Sequence, residues 1–308
     1  MDQLQETAEK IRTMEIRGAG RIAKAAAIAI RDYVRNLDAY TIQEFDYKVQ
    51  KAAKTLVNTR PTAVSLPNAV WMSVKYSKKN VDGAREEIIN NANQFIKQAD
   101  DALDNIGNIG ARRIQNGDVI LTHCNSHAAL SAITTAFEHG KNISVITTES
   151  RPRKQGLLNI KYLNDYGIPT TYIVDSAVRS CIKDVDKVIV GADAISVNGA
   201  LVNKIGTSQL ALSAHEARVN FLVAAETYKF SPRTIQGNLI EIEDRPIDEV
   251  MDPDKLKDLP HVNVKNPAFD VTPAEYIDLI VTDAGVIPPG MAYIIIKEYL
   301  GWELSDIG

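Results

Sequence analysis

Cys124 and Asp193 are the two side chains whose types and surroundings suit acid–base chemistry. Cys124 follows an apolar, β-prone run, Val119 to Leu121, and is followed by Asn125, Ser126 and His127, then a helical pattern through Phe137. A strand that stops at a cysteine and turns into a helix start offers free N–H groups and partial positive charge, which favour thiolate over thiol. A lone cysteine at a strand end is more often a small buried hydrophobe, so other residues must carry the functional reading. Asp193, in Gly191-Ala192-Asp193, stands at the end of a second apolar run, Lys187 to Val190. One thiol and one carboxylate without a metal cluster point to proton transfer. His123 and His127 are four residues apart but straddle a strand-to-helix turn, so no zinc site is expected. Neither a metal nor a cofactor is expected at all.

Cations and glycines accompany this pair. Gly18-Ala19-Gly20-Arg21-Ile22-Ala23, preceded by Arg17, formally matches a dinucleotide fingerprint. A helical pattern precedes it where that fingerprint requires a strand. What remains is either a phosphate cradle of backbone N–H groups or a tight helix–helix turn. Arg60 precedes Pro61, which disfavours helix there and puts Arg60 on a turn. Glu149-Ser150-Arg151-Pro152-Arg153-Lys154-Gln155-Gly156 is strongly basic and follows another apolar run. Asn203-Lys204-Ile205-Gly206-Thr207 leads into a helix, and Lys229 follows a further strand. Cations and helix starts at strand ends imply an anionic, phosphorylated substrate.

The elements that must position these residues fall into two blocks. Residues 1–110 read as an N-terminal helical domain: an alanine-rich helix toward Arg35, a capped start near Thr41, a helix reaching Leu56 and a long helical stretch from Trp71 to Ile106. Residues 111–308 alternate strand and helix, with strands expected at 119–122, 143–147, 170–174, 187–190, 221–225 and 279–282. Near-continuous apolar strands with crossover-length connections predict an α/β fold, a Rossmann-like, mostly parallel sheet covered by helices on both faces. In such sheets the site lies at the carboxyl ends of the strands. Asp175, at one such end, reads as a helix cap.

The chain has 308 residues and a net charge of −4, which argues against nucleic acid as a partner. Two cysteines make no disulfide framework and fit a reducing, cytoplasmic setting. The acidic, polar N-terminus does not read as a signal peptide, and no apolar run suits a membrane span.

Taken in order, Arg17-Gly-Ala-Gly, Arg60-Pro, Cys124-Asn, Glu149-Ser-Arg-Pro with Gln155-Gly, Gly191-Ala-Asp193 and Asn203-Lys-Ile-Gly-Thr207 resemble one known family over nearly the whole chain. That family holds the sugar-phosphate isomerases acting on methylthioribose 1-phosphate and on ribose 1,5-bisphosphate, with the regulatory alpha, beta and delta subunits of translation initiation factor 2B. The resemblance is stronger to the archaeal bisphosphate branch, because Asn125-Ser126-His127-Ala128 follows the cysteine and extra positive charge follows Pro152. Arg153, Lys154 and Lys229 are candidates for a second phosphate. The resemblance implies that Asp193 is an acid and then a base, and that Cys124 as thiolate shuttles a proton through an enol intermediate. That chemistry needs a depressed Cys124 thiol, which the helix start and neighbouring cations are expected to supply. Substrate contacts implied are Arg17, Gly18, Ala19, Gly20, Arg60, Ser126, Gln155, Asn203, Lys204 and Lys229. The family further implies a role in AMP and nucleoside salvage, AMP as an activator, and a homo-oligomer, a dimer or a trimer of dimers. The alternatives are a noncatalytic regulatory subunit and the methylthioribose enzyme.

Overall fold

A computed structural model describes residues 3–16, 18–60 and 62–302. They form two compact units: the described residues of 3–102 with 227–230 and 295–302, and residues 103–226 with 231–294.

Helices build the first unit: α1 (Gln3–Arg12), α2 (Ala19–Arg35), α3 (Ile42–Val57), α4 (Ser65–Val74) and most of α5 (Val81–Ala111). Apolar residues at helical spacing bury Ile22, Ala26, Ile30 and Val34 of α2 against Leu4, Ile11, Val49, Leu56 and Leu66. Thr41 caps α3, its hydroxyl accepting the Glu44 N–H at 3.1 Å while Glu44 reaches back to the Tyr40 N–H. The stretch read as one helix from Trp71 to Ile106 is two, broken at 75–80. There Glu87 accepts the Ser77 and Lys78 N–H groups and Asn80 accepts that of Gly83, so side chains take over the hydrogen bonds of the break. The short return at 227–230 is held by buried Asn68, whose amide donates to the carbonyls of Tyr228 and Phe230 at 2.9 and 2.7 Å.

The second unit alternates β1 (Val119–Thr122), α6 (His127–Glu138), β2 (Ser144–Thr148), α7 (Gly156–Asp165), β3 (Thr170–Ile173), α8 (Val178–Cys181), β4 (Lys187–Val190), β5 (Ala194–Ile195), β6 (Leu201–Lys204), α9 (Thr207–Ala217), β7 (Asn220–Ala224), β8 (Phe269–Thr272), β9 (Leu279–Thr282) and β10 (Gly285–Ile287). Seven strands form one sheet in the order β10-β9-β7-β4-β1-β2-β3, parallel throughout except for the edge pair β9–β10. The fold is α/β with a mostly parallel sheet flanked by helices. Ile120, Val145, Ile189, Leu222 and Val281 of the sheet share a core with Ala129, Leu130 and Ile133 of α6. A last helix, α10 (Ala292–Glu298), follows. Among the described residues, no helix is long and apolar enough to cross a membrane.

Two features follow from this order. The chain moves outward from β1 through β2 to β3, then returns to place β4 on β1's other side, so the winding reverses between β1 and β4. That reversal leaves a crevice at the carboxyl ends of β1 and β4, the usual ligand site of open α/β sheets. A second, three-stranded antiparallel sheet, β5-β6-β8, lies beyond the end of β4. It places Asn203 and Lys204 on a strand, where the sequence reading has a loop.

Candidate active site

The switch point is where the two chemically suited residues stand. Cys124 follows β1 and Asp193 follows β4, the neighbouring strand with Ile120 opposite Lys187. Gly191 allows the close approach: a Cβ there would lie 2.2 Å from the Ser126 hydroxyl oxygen. Beyond it, the Asp193 N–H donates to the Val202 carbonyl at 3.0 Å, which ties the acid to β6.

Cys124 sits in the left-handed backbone region, φ +63°, a conformation that disfavours residues with a Cβ by about 1–2 kcal/mol. Both sides of its peptide are gripped. Its N–H donates to the Ser150 hydroxyl at 2.8 Å, and its carbonyl accepts the amide of fully buried Asn159 at 2.5 Å. Asn159 also donates to Thr147 and accepts from the Asn125 amide at 2.9 Å. The loop after β2 therefore holds the cysteine in its strained pose. Asp175 holds that loop in turn, its carboxylate accepting the N–H groups of Ser150 and Arg151, each at 2.8 Å. Asp175 thus clamps the neighbouring loop, where the sequence reading gives it a helix to cap.

The thiol faces Gln155, at the start of α7, and donates to its amide oxygen at 3.4 Å. Burial pushes the Cys124 thiol up to about 11; Lys204 pulls it down, while Asp193 and Asp175 push it up. This corrects the expectation of a depressed thiol. Desolvation outweighs the pull of Lys204 and of the Asn125 N–H, both of which favour the thiolate, and at the α6 start the Ser126 hydroxyl takes up the N–H of Ala129.

The other expected contacts divide by unit. In the second unit, Lys204 donates to the Ala268 carbonyl at 3.1 Å and lies 4.9 Å from the Phe269 ring. Asn203 is buried, with its amide donating to the Thr207 hydroxyl at 3.0 Å, so its side chain braces the turn. Cys124, Gln155, Lys204 and Asp193 are brought together by hydrogen bond or charge. In the first unit, Gly18 precedes α2 with φ +92°, Ala19 and Gly20 open that helix, Arg60 is half-buried and Lys229 is buried in the 227–230 return. Arg17 lies outside the described residues.

Two further expectations change. Arg153 pairs with Glu249 at 2.6 Å and Lys154 with Glu149 at 3.2 Å, so carboxylates already engage two of the three cations nominated for a second phosphate. The start of α9, one of the helix starts taken to imply an anionic substrate, is filled by Asp270 of β8, which accepts the N–H groups of Gly206 at 2.7 Å and Ser208 at 3.1 Å. Sequence reading missed Ser150, Asn159, Asp175 and Asp270 as site-building residues. Ser150 and Asp175 stood in strand-end segments already singled out, whereas Asn159 inside a helix and Asp270 far along the chain carry no local signal.

A thiol and a carboxylate thus stand together at the switch point of a mostly parallel sheet. Residues 15–289 match the model of the initiation factor 2 subunit family, and the chain belongs to that family. It is 55% identical over 305 residues to ribose 1,5-bisphosphate isomerase of Methanocaldococcus jannaschii, covering 98% of this chain and 97% of that protein. It is 37% identical over 303 residues to methylthioribose-1-phosphate isomerase of Syntrophotalea carbinolica, covering 92% and 87%. The crystal structure of Pyrococcus horikoshii translation initiation factor eIF-2B superposes with a TM-score of 0.78 at 31% identity, covering 94% of this chain and 98% of that one. The chain is an enzyme of the isomerase class, an intramolecular oxidoreductase.

Proposed function

We propose that this enzyme converts ribose 1,5-bisphosphate to ribulose 1,5-bisphosphate, with Asp193 and Cys124 as its proton-transfer pair. The observation that carries the reading is their placement on neighbouring strands at the switch point, with the Asp193 charge acting on the Cys124 thiol. The identity of more than half over nearly the full length of a relative so named supports the substrate.

Burial keeps the Cys124 thiol protonated, and the charge of Asp193 opposes its ionisation. Moving one proton from Cys124 to Asp193 gives a thiolate and a carboxylic acid with no change in net charge. That is the protonation state the reaction needs. It also removes the Asp193 charge that opposes the thiolate, while Lys204 continues to favour it. The acid then protonates the ring oxygen O4 as the C1–O4 bond breaks. The thiolate takes the C2 proton, and that electron pair forms the C1=C2 bond of an enol that keeps its C1 phosphate. Cys124 returns the proton to C1, and Asp193, now the base, takes the proton from the C2 hydroxyl as the ketone forms. Gln155, hydrogen-bonded to the thiol in the free site, is released to the sugar when substrate enters. Lys204, Asn203, Ser126, Gly18, Ala19, Gly20, Arg17, Arg60 and Lys229 complete the substrate contacts on the family resemblance. A cytoplasmic role in AMP and nucleoside salvage, AMP as an activator and a dimer or trimer of dimers belong to the same reading.

The test is turnover of ribose 1,5-bisphosphate and of methylthioribose 1-phosphate by wild type, Cys124→Ser and Asp193→Asn. Conversion of the bisphosphate alone, lost by at least about 10³-fold in each variant, is the expected result. Conversion of the monophosphate alone moves the assignment to the other branch. Turnover of neither by folded protein, with and without AMP, overturns the substrate reading.

A further inference from the structure

His123 precedes the cysteine, and the mechanism above gives it no task. Its ring is buried, with 2% of the residue exposed. Nε2 lies 2.8 Å from the carbonyl oxygen of Ile205. A carbonyl only accepts, so Nε2 carries the proton. Nδ1 lies 2.6 Å from the Thr148 hydroxyl. Burial lowers the ring's affinity for a second proton against the opposing pull of Asp175, whose carboxylate is 3.9 Å from Nδ1, and Lys204 lowers it further. In the neutral ring Nδ1 accepts, so Thr148 donates to it. Thr148 in turn accepts from the Ser150 hydroxyl at 3.2 Å, and Ser150 accepts the Cys124 N–H at 2.8 Å. The hydrogen bonds run in one direction, from the Cys124 peptide through two hydroxyls and the imidazole to the carbonyl of Ile205, the residue next to Lys204.

We propose that His123 is a positioning residue that fixes Lys204 relative to the Cys124 thiol by bolting the end of β1 to the end of β2 on one side and to the β6–α9 turn on the other. The inference deepens the proposed function by naming what holds the cation that favours the thiolate. It does not depend on which sugar phosphate is the substrate. A buried ring that only filled space would be served by any local polar partners. Here each nitrogen reaches a different element, and the three elements are those that carry Cys124, Gln155 and Lys204.

The charged groups acting on Cys124 are Lys204, Asp193 and Asp175. Of these charges Lys204 favours the thiolate, as does the Asn125 N–H, so loosening Lys204 raises the pH at which the thiol ionises. The test is the rate of Cys124 alkylation by iodoacetamide against pH, in a Cys181→Ser background that leaves one thiol. Lys204→Met is expected to raise the midpoint by about 0.5–1 pH unit. His123→Ala is expected to raise it similarly, and the double variant to rise no further than either alone. His123→Gln keeps a donor near the Nε2 position and is expected to restore the wild-type midpoint. His123→Asn, whose amide reaches only the Nδ1 side, is not. Should His123→Ala fail to fold, the Gln–Asn contrast decides alone. A wild-type midpoint in His123→Asn, equal midpoints in the Gln and Asn variants, or additive shifts in the double variant overturn the proposal. With substrate, His123→Asn is expected to lower kcat about 10-fold with KM within twofold of wild type. Alkylation behaving as described while no sugar phosphate is turned over removes the substrate reading and leaves the positioning role standing.

Discussion

At the scale of single residues, the cysteine is a group whose ordinary chemistry is suppressed until the site fills. Burial carries the thiol to about 11, and Asp193 adds to that. Because the folded value lies above the ordinary value of 9.0, the substrate-free protein holds this proton through neutral pH and releases it only as pH rises from 9 toward 11. Alkylation of wild type is therefore expected to keep accelerating well past pH 9, with a midpoint near 11. Asp193→Asn, which removes an opposing charge, is expected to lower that midpoint by about 0.5–1 unit. A wild-type midpoint at or below 8.5 contradicts this account of the site. The placement of both residues at strand ends was legible in the sequence, because each closes an apolar run that reads as a strand. The state of the thiol was not. Local reasoning counted helix ends and cations, whereas desolvation depends on which distant segments close around the sulfur.

At the scale of elements, the site rests on how closely the ends of β1, β2 and β4 approach. Gly191→Ala puts a methyl group where the Ser126 side chain stands, 2.2–2.4 Å away. Backbone or Ser126 must move, with an expected loss of about 1–3 kcal/mol in stability and at least about 10²-fold in kcat/KM. Denaturant unfolding and steady-state kinetics check both. Asn159→Ala removes the donor to the Cys124 carbonyl and strands the Asn125 amide. It is expected to destabilise the fold by about 1–3 kcal/mol and to lower activity without touching the substrate. By contrast, Arg153→Ala breaks a surface pair with Glu249 worth about 1 kcal/mol or less, and KM for ribose 1,5-bisphosphate is expected to stay within twofold. A tenfold rise in KM would restore Arg153 as a phosphate ligand. The six parallel strands were readable as apolar runs, with bounds within about one residue. β5, β6 and β8 were not, because a two-residue strand carries no pattern and β8 pairs with a strand more than sixty residues earlier. For the same reason Asn203 and Lys204 read as loop residues until β8 supplied their partner strand.

At the scale of the whole molecule, such long-range closures decide what a local motif can do. A helix start beside Lys204 suggested that α9 helps hold an anionic substrate, and the anion there turns out to be the protein's own: Asp270, carried in on β8, receives the N–H groups of Gly206 and Ser208. Burial raises its carboxyl to about 6 from 3.8, although those two N–H groups favour the charged form. The folded state therefore binds more protons at this position than the unfolded chain between those two values. The stability linked to the protonated acid is complete below about pH 3.8 and is lost as pH rises through 6. Glu6, Glu44 and Glu87 shift the other way, so the bare stability curve mixes opposite signs. Asp270→Asn isolates the one group, since an amide oxygen still accepts from both N–H groups while the titration is gone. Wild-type stability minus that of Asp270→Asn is expected to fall between pH 4 and pH 6 and to be flat above pH 7, as read by chemical denaturation at each pH. A difference that is nearly flat between pH 4 and pH 6 and falls away only below about pH 4 would mean that the two backbone donors outweigh burial. The start of α9 would then be an anion site after all, held by a firmly ionised aspartate.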